Sequence, residues 1–384
     1  MRIALIASPF ISVPPTRYGG TELFVAQLAE ALKKLGFDVV VYANGQSCVN
    51  TELRWLYAEN QWPIDGEIYS NLKDMNHCAW AIRDAWNDAD IIHLNSASGL
   101  AFSRFDGPEF VYTIHHPHHD GLSEFYSHHP QVNFVCISRF QQALERQPLI
   151  RTIHHGVEMS PYKLQEQKKP YLAFLGRIAP LKGTHVAIEI AKKSGMSLKI
   201  AGEVQPLYRD YFESRIKPHI DGKFIEYVGE ADLDAKNDLL GNAAALLFPI
   251  QWNEPFGLVM VEAMATGTPV LAFAGGSVAE VVKEKVSGHV CTSIDDMVAT
   301  VKGIEGKFSP AEVRRYAEEN FSVERMAGHY ADLYNEIAYP SRKPAGVTAD
   351  SEIEFIPDIA LERELIAREA AEPDNEPEEP RAVA

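Results

Sequence analysis

Residues 253–270 read N-E-P-F-G-L-V-M-V-E-A-M-A-T-G-T-P-V and hold two carboxylates, Glu254 and Glu262, with seven residues between them. Leu258, Val261, Glu262 and Ala265 recur at helical spacing, and Gly267 and Pro269 stop the pattern, so a helix is predicted to begin near Phe256. Its first turn, around Gly257 and Leu258, offers free backbone N–H groups and the positive end of the helix dipole, which suits a phosphate. Glu254 then stands in the loop before the helix and Glu262 about two turns along it, a rise of roughly 11 Å. That separation puts one carboxylate beside a ligand's reactive end and the other beside a more distant hydroxyl pair. Two glutamates at this spacing are, by themselves, more often a loop residue and a solvated side chain.

Three other stretches carry chemistry. Arg177 and Lys182 follow an apolar run at 171–175, where a fork of donors and a point charge would neutralise a diphosphate. Gly19 and Gly20 stand immediately before a helical pattern, where missing side chains let backbone N–H groups approach an anion. His115 is the first residue past the run at 110–114 and opens H-H-P-H-H-D, with His128 and His129 nearby. So many histidines invite a zinc reading, but Pro117 argues for a loop and no helical histidine pair or cysteine partner accompanies them. Asp88 to Asp90 and Asp232 to Asp234 superficially resemble metal-binding pairs; a strand start and a helix start explain them better.

The elements that must position these groups alternate along the chain. Strands are predicted at 2–7, 38–43, 91–94, 110–114, 134–137, 171–175, 198–201, 225–228, 245–248 and 270–273. Helices are predicted through Leu23, Ala26, Leu28, Ala31 and Leu35, and over 185–193, 208–217, 232–242, 277–282 and 323–337. Alternation of this kind gives parallel sheets, which bind ligands at the carboxyl ends of their strands. The polar stretch 161–170 is the expected linker between two domains. Between residues 50 and 87 the pattern is irregular and aromatic, with Trp55, Tyr57, Trp62, Tyr69, Trp80 and Trp86; core packing accounts for most of them, while flat rings also suit sugar faces.

The string from Asn253 to Val270 resembles the signature of the retaining nucleotide-sugar glycosyltransferases of family 4, and of the avilamycin glycosyltransferase-like subgroup in particular. The resemblance implies an α/β chain of the GT-B fold, two Rossmann-like domains with parallel sheets facing across a cleft. Residues 1–165 would form the acceptor-side domain, completed by a returning helix at about 323–338, and 166–322 the nucleotide-sugar domain. By the same resemblance Glu254 and His115 meet the donor sugar, Glu262 the ribose, and the amides after Phe256, at Gly257 and Leu258, the diphosphate. Y-G-G-T-E with Gly19 and Gly20 is similar to the family's donor-phosphate loop, and G-R-I-A-P-L-K-G with Arg177 and Lys182 to its G-R-x-x-x-x-K-G pattern. C-I-S-R-F and I-H-H-G-V resemble segments that end the first domain, although the family's second segment usually reads N-G-V where His155 stands here. The implied reaction is metal-independent and uses no cofactor: a hexosyltransferase in which the leaving phosphate takes the acceptor's proton on the same face. The acceptor would be a small molecule, a glycan or a lipid-linked molecule. An epimerase or hydrolase on the same fold, or a non-catalytic nucleotide-sugar-binding partner, are the alternatives.

Composition narrows the rest. The 384 residues suffice for two cores. A net charge of −17 argues against nucleic acid as a partner. No apolar run approaches the roughly 20 residues of a membrane span, and the N-terminus lacks the pattern of a signal peptide. Cys48, Cys78, Cys136 and Cys291 have neither metal nor disulfide spacing, which fits reduced thiols in a cytoplasm. Residues 341–384 carry twelve acidic and five basic residues and read as a disordered tail, with a short helix pattern at 359–371.

Overall fold

The computed structural model describes residues 1–16, 19–61 and 69–339; the tail at 341–384, its helix pattern, and Trp62 lie outside the described residues. Along the first sheet the elements run β1 (Arg2–Ile6), α1 (Gly20–Lys34), β2 (Asp38–Tyr42), β3 (Glu52–Arg54), α2 (Tyr69–Ala85), β4 (Ile91–Leu94), β5 (Glu109–Ile114), α3 (Asp120–Ser127), β6 (Asn133–Cys136), α4 (Arg139–Leu144) and β7 (Ile150–Thr152). All seven strands are parallel, in the order β3-β2-β1-β4-β5-β6-β7. The strands are apolar on both sides because both sides are covered. Ile3 and Leu5 pack with Phe24, Val25 and Leu28 of α1, while Ala4 and Ile6 pack on the other face with Cys78 and Ile82 of α2.

The second sheet is built from β8 (Tyr171–Leu175), α5 (Thr184–Ser194), β9 (Ser197–Ala201), α6 (Arg209–Tyr211), β10 (Ile225–Gly229), α7 (Leu233–Gly241), β11 (Ala245–Phe248), α8 (Leu258–Ala265), β12 (Val270–Phe273), α9 (Val278–Val281), β13 (Gly288–Cys291) and α10 (Ile294–Lys302). Its six parallel strands run β10-β9-β8-β11-β12-β13. Ala173 and Leu175 face α8, and Leu172 and Phe174 face α5 and α10. Two helices follow, α11 (Pro310–Phe321) and α12 (Val323–Ala338). α11 packs on the second sheet's α8 side, whereas Met326, Tyr330 and Tyr334 of α12 return to the core under α1. Thus two Rossmann-like layers share one chain, each with a strand-order reversal next to its first strand: β1 beside β4, and β8 beside β11. Among the described residues no helix is long and apolar enough to cross a membrane.

Several expectations need correction. The helix predicted from Phe256 starts at Leu258, because Gly257 takes a left-handed φ of 78° and caps it. In α1 the buried stripe is Phe24, Val25, Leu28, Ala31 and Leu32, and Leu35 is 53% exposed, so the face named from sequence was rotated. The helix predicted over 208–217 is a chain of short turns with one π-turn at Phe212–Ile216, before Pro218. β3, β7 and β13 were not anticipated. The stretch 161–170 is no free linker: Tyr162 is buried, and Lys168 Nζ donates to Gly241 O, Thr266 O and Thr268 Oγ1.

Candidate functional site

Both strand-order reversals place their loops at carboxyl ends; Gly19 and Gly20 follow β1, Arg177 and Lys182 follow β8, Glu254 to Gly257 follow β11, and His115 follows β5, one strand beyond β4. After β11 the chain turns through residues 249–257, and this turn is pinned from β12's side. Ser277 N donates to Glu254 O at 2.9 Å, and Gly276 N to Asn253 Oδ1 at 3.2 Å. Gly276 has a φ of 57°, and a Cβ there would lie 2.1 Å from Glu254 O. Only glycine lets the two backbones meet this closely.

Glu254 is buried, and its Oε2 accepts from Lys182 Nζ at 2.5 Å and from Trp252 Nε1 at 3.0 Å. The Lys182 ammonium also lies 4.5 Å from the centre of the Trp252 ring. Lys182 comes from the single 3₁₀ turn Pro180–Lys182 after β8. Two residues predicted separately therefore meet in one ion pair against an aromatic face.

The N-terminus of α8 meets that of α1. Gly19 caps α1, and a Cβ at Gly20 would stand 3.9 Å from Leu258 Cδ1. Two helix ends, each with free N–H groups, thus approach from the two sheets. Glu22, in the first turn of α1, is buried with Ser8 Oγ 3.4 Å from Oε1, and burial pushes its carboxyl pKa up. The sequence reading gave Glu22 no role, although it lies in the quoted Y-G-G-T-E.

His115 stands at the end of β5. Asn95 donates through Nδ2 to Ile6 O, so its Oδ1 accepts and His115 Nε2 is the donor across 2.9 Å. That tautomer leaves Nδ1 as an acceptor. The ring stacks on His155 at 5.5 Å and 15° and meets Phe24 edge-on at 4.8 Å. Burial, with His155, His93 and His116 as neighbours, holds its pKa well below the ordinary value, so it is neutral. His155 in turn packs edge-on against Phe256 at 5.3 Å. Its pKa is pushed down to about 3 by burial and His154, and its Nδ1 is buried without a partner. The histidine that departs from the family pattern is the ring linking His115 to the α8 loop.

Two predicted residues stand apart from this group. Arg177 Nη1 donates to Gln205 Oε1 at 3.4 Å, the guanidinium lies 5.8 Å from the centre of the Tyr208 ring, and Nε is buried with no partner. Glu262 is buried along α8, and its Oε1 accepts from Tyr162 Oη at 2.8 Å and Lys236 Nζ at 2.7 Å. Burial and the Glu262 carboxylate drive the Tyr162 pKa far up. Tyr162 and Lys236 also line a cleft of about 510 Å³ whose opposite wall includes Leu23, Ala26 and Gln27 of α1.

The histidine loop disperses. His116 Nε2 is within 3.2 Å of Tyr112 Oη and 3.1 Å of Tyr126 Oη, His118 Nδ1 pairs with Glu145, and His119 caps α3. Asp232 caps α7 through Ala235 N, and Asp90 accepts from Arg2 N. Trp80 and Trp86 pack on the first core, whereas Trp55 and Tyr69 are exposed.

Known proteins resemble both halves of this arrangement. The family described as Glycosyltransferase Family 4 matches residues 18–146, and that described as Glycosyl transferases group 1 matches residues 158–320. Spore coat protein SA of Bacillus subtilis is 22% identical over 399 aligned positions, 88% of this chain and 100% of that protein. Against two other curated relatives the chain spans only 50% and 59% of their length. Among solved structures, AviGT4, a glycosyltransferase involved in avilamycin A biosynthesis, superposes with a TM-score of 0.68 at 25% identity over 88% of this chain and 98% of its own. Anabaena HepE, solved with UDP and glucose, superposes with a TM-score of 0.69 at 16% identity over 88% of this chain and 100% of its own.

Proposed function

Because the chain belongs to the family-4-like glycosyltransferases of GT-B fold, we propose that it moves a hexosyl group, with retention, from a nucleotide diphosphate sugar to an acceptor held on the first domain. The observation that carries this reading is the Lys182–Glu254–Trp252 contact at the N-terminus of α8, opposite the Gly20 end of α1. A cation and two helix ends converge where a diphosphate leaving group would develop charge, and preorganised charge of this kind is the largest lever on such a transition state. HepE, of the same fold, binds UDP-glucose, which makes that donor the first to try.

In this reading the diphosphate lies between Gly19–Gly20 and Gly257–Leu258, with Lys182 bridging it to Glu254. Arg177, whose Nε is buried without a partner, would supply a second cation to the same charge. His115, neutral and with Nδ1 free to accept, takes a hydroxyl of the transferred sugar, and Asn95 holds the ring. Glu262 meets the ribose hydroxyls by exchanging its bond from Lys236. The leaving phosphate, cation-stabilised, accepts the acceptor's proton, so the step needs neither metal nor cofactor.

The test is release of nucleoside diphosphate from UDP-glucose and related donors, measured with and without a panel of sugar, glycan and lipid-linked acceptors. Product anomers are read by proton NMR. Release that depends on acceptor, with the donor's anomeric configuration kept, supports transfer. Release at the same rate without acceptor makes the chain a hydrolase, and inverted product overturns the retaining mechanism.

A further inference from the structure

At the outer edge of the second sheet β13 turns His289 and Cys291 to the same side, since alternate residues of a strand share a face. Asp296, in the first turn of α10, lies over that face. The nitrogen, sulfur and oxygen donors of the three side chains lie within 4.8 Å of one another. None of them belongs to the donor site, and β13 is one strand beyond β12.

The hydrogen bonding around His289 is what makes the cluster unusual. Glu284 Oε2 takes Nδ1 at 2.8 Å, and Glu284 Oε1 accepts from Val290 N, so this carboxylate is itself held. With the proton on Nδ1, Nε2 presents a bare lone pair to Asp296 Oδ1 at 3.5 Å. Two acceptors face each other, and a cation between them removes the conflict: a second ring proton, or a metal ion. A carboxylate holding the far nitrogen of a histidine is the arrangement that orients metal-bound imidazoles. The thiol favours the ion. Cys291 is buried, with Sγ 3.9 Å from His289 O. As a thiol it adds nothing to an imidazolium–carboxylate pair, whereas a metal would use it.

We propose that His289 Nε2, Cys291 Sγ and the Asp296 carboxylate form a binding site for a zinc-class divalent ion, oriented by Glu284 and fastening the edge strand β13 to α10. Imidazole, thiolate and carboxylate are the ligand types zinc takes, and metal–ligand distances of about 2.0–2.3 Å put tetrahedral ligands roughly 3.3–3.8 Å apart. His289 Nε2 and Asp296 Oδ1, 3.5 Å apart, already have that spacing, and the sulfur, within 4.8 Å of the other donors, has to close by at most about 1 Å, which small χ rotations supply. On binding, the thiol proton leaves to solvent and the thiolate, imidazole and carboxylate each donate a pair to the ion. Water fills the fourth position. No electron is transferred.

The full-length chain, stripped of metal with chelator, is titrated with Co²⁺ as a spectroscopic probe and then with Zn²⁺, and its melting temperature is followed in parallel. The expected result is one equivalent of Co²⁺ producing a thiolate-to-cobalt charge-transfer band that Zn²⁺ displaces. Zinc should raise the melting temperature with the logarithm of its concentration. Cys291→Ser should abolish the band and Cys48→Ser should retain it, while Glu284→Gln should weaken affinity 10- to 100-fold. If Cys291→Ser does not fold, the half-buried His289→Gln carries the same comparison. Absence of the band, an undiminished band in Cys291→Ser, or a melting temperature indifferent to zinc would each overturn the proposal.

Discussion

Lys182 and Glu254 are the residues on which the site turns, and their pairing gives a test that a surface reading does not. Both side chains are largely buried, at 17% and 9% exposure, so removing one partner strands a charge away from water. Lys182→Met should lower the unfolding free energy by about 3 kcal/mol. Adding Glu254→Gln should recover much of that loss, because the stranded carboxylate goes with it. Urea midpoints of the two single variants and the double variant give the coupling; additive losses would mean that the pair is solvated in solution. Arg177→Ala probes the ligand instead. Its Nε has no protein partner to lose, and it gives up only a long 3.4 Å bond to Gln205 and the contact with the Tyr208 ring, so stability should change little, whereas affinity for free UDP by calorimetry should fall by about 1.5–3 kcal/mol. Unchanged affinity would remove Arg177 from the phosphate site.

At the scale of the element, α8 depends on how its first turn is reached. Gly257 holds a φ of 78°, and a Cβ there would meet Met260 Cε at 2.7 Å and Glu254 Cγ at 3.3 Å. Gly257→Ala should therefore cost about 1–2 kcal/mol for the left-handed backbone alone, and should weaken UDP binding because the helix end shifts. Gly328→Ala in α12 is the contrast. No atom outside its own helix crowds a Cβ there, so a gain of roughly 0.5–1 kcal/mol is expected. Thermal melts of both variants check the pair of signs. These elements were unequally legible in the sequence. Strands such as β11 and β12 were readable because sheets covered on both faces demand unbroken apolar runs. β3, β7 and β13 are short or polar edge strands, and Glu52, Arg151 and His289 hide them. The rotated face of α1 came from counting Leu23 and Leu35 as core while the space under the helix is filled by Phe24 and Leu28, and by Tyr330 from α12. Lys182 and Glu254 were recognisable by motif. That Glu262 is paired with Lys236 and Tyr162, or that His155 bridges His115 and Phe256, depends on partners from 26 to 101 residues away, which no local pattern announces.

For the whole molecule, a line of neutral histidines ties the two halves together and fixes how the protein responds to acid. His93 lies between Tyr334 of α12 and Thr113 of β5, and His155 packs between Phe24 and Phe256. Burial pushes His93 down to about 3, and burial with His154 does the same for His155, against an ordinary value of 6.5. His115 is lowered too, chiefly by burial. The unfolded chain therefore takes up protons at these rings below pH 6.5 while the folded chain refuses them until about pH 3. Stability is full above pH 6.5 and is lost as pH falls, by about 1.4 kcal/mol per pH unit for each such ring. His77, His116, His129 and His185 are lowered in the same direction, chiefly by burial. His118 opposes them: burial lowers it, but Glu145 and Asp120 outweigh that and raise it. From His93 and His155 alone, unfolding free energy by urea should drop by about 3 kcal/mol between pH 7.5 and 5.5, and proton uptake on unfolding should rise toward two as pH falls to 5.5. His155→Asn, which restores the usual family residue, should flatten that slope by about one proton. A slope unchanged in this variant would mean that His155 is charged and solvated, and that the packed ring between His115 and the α8 loop does not exist in solution.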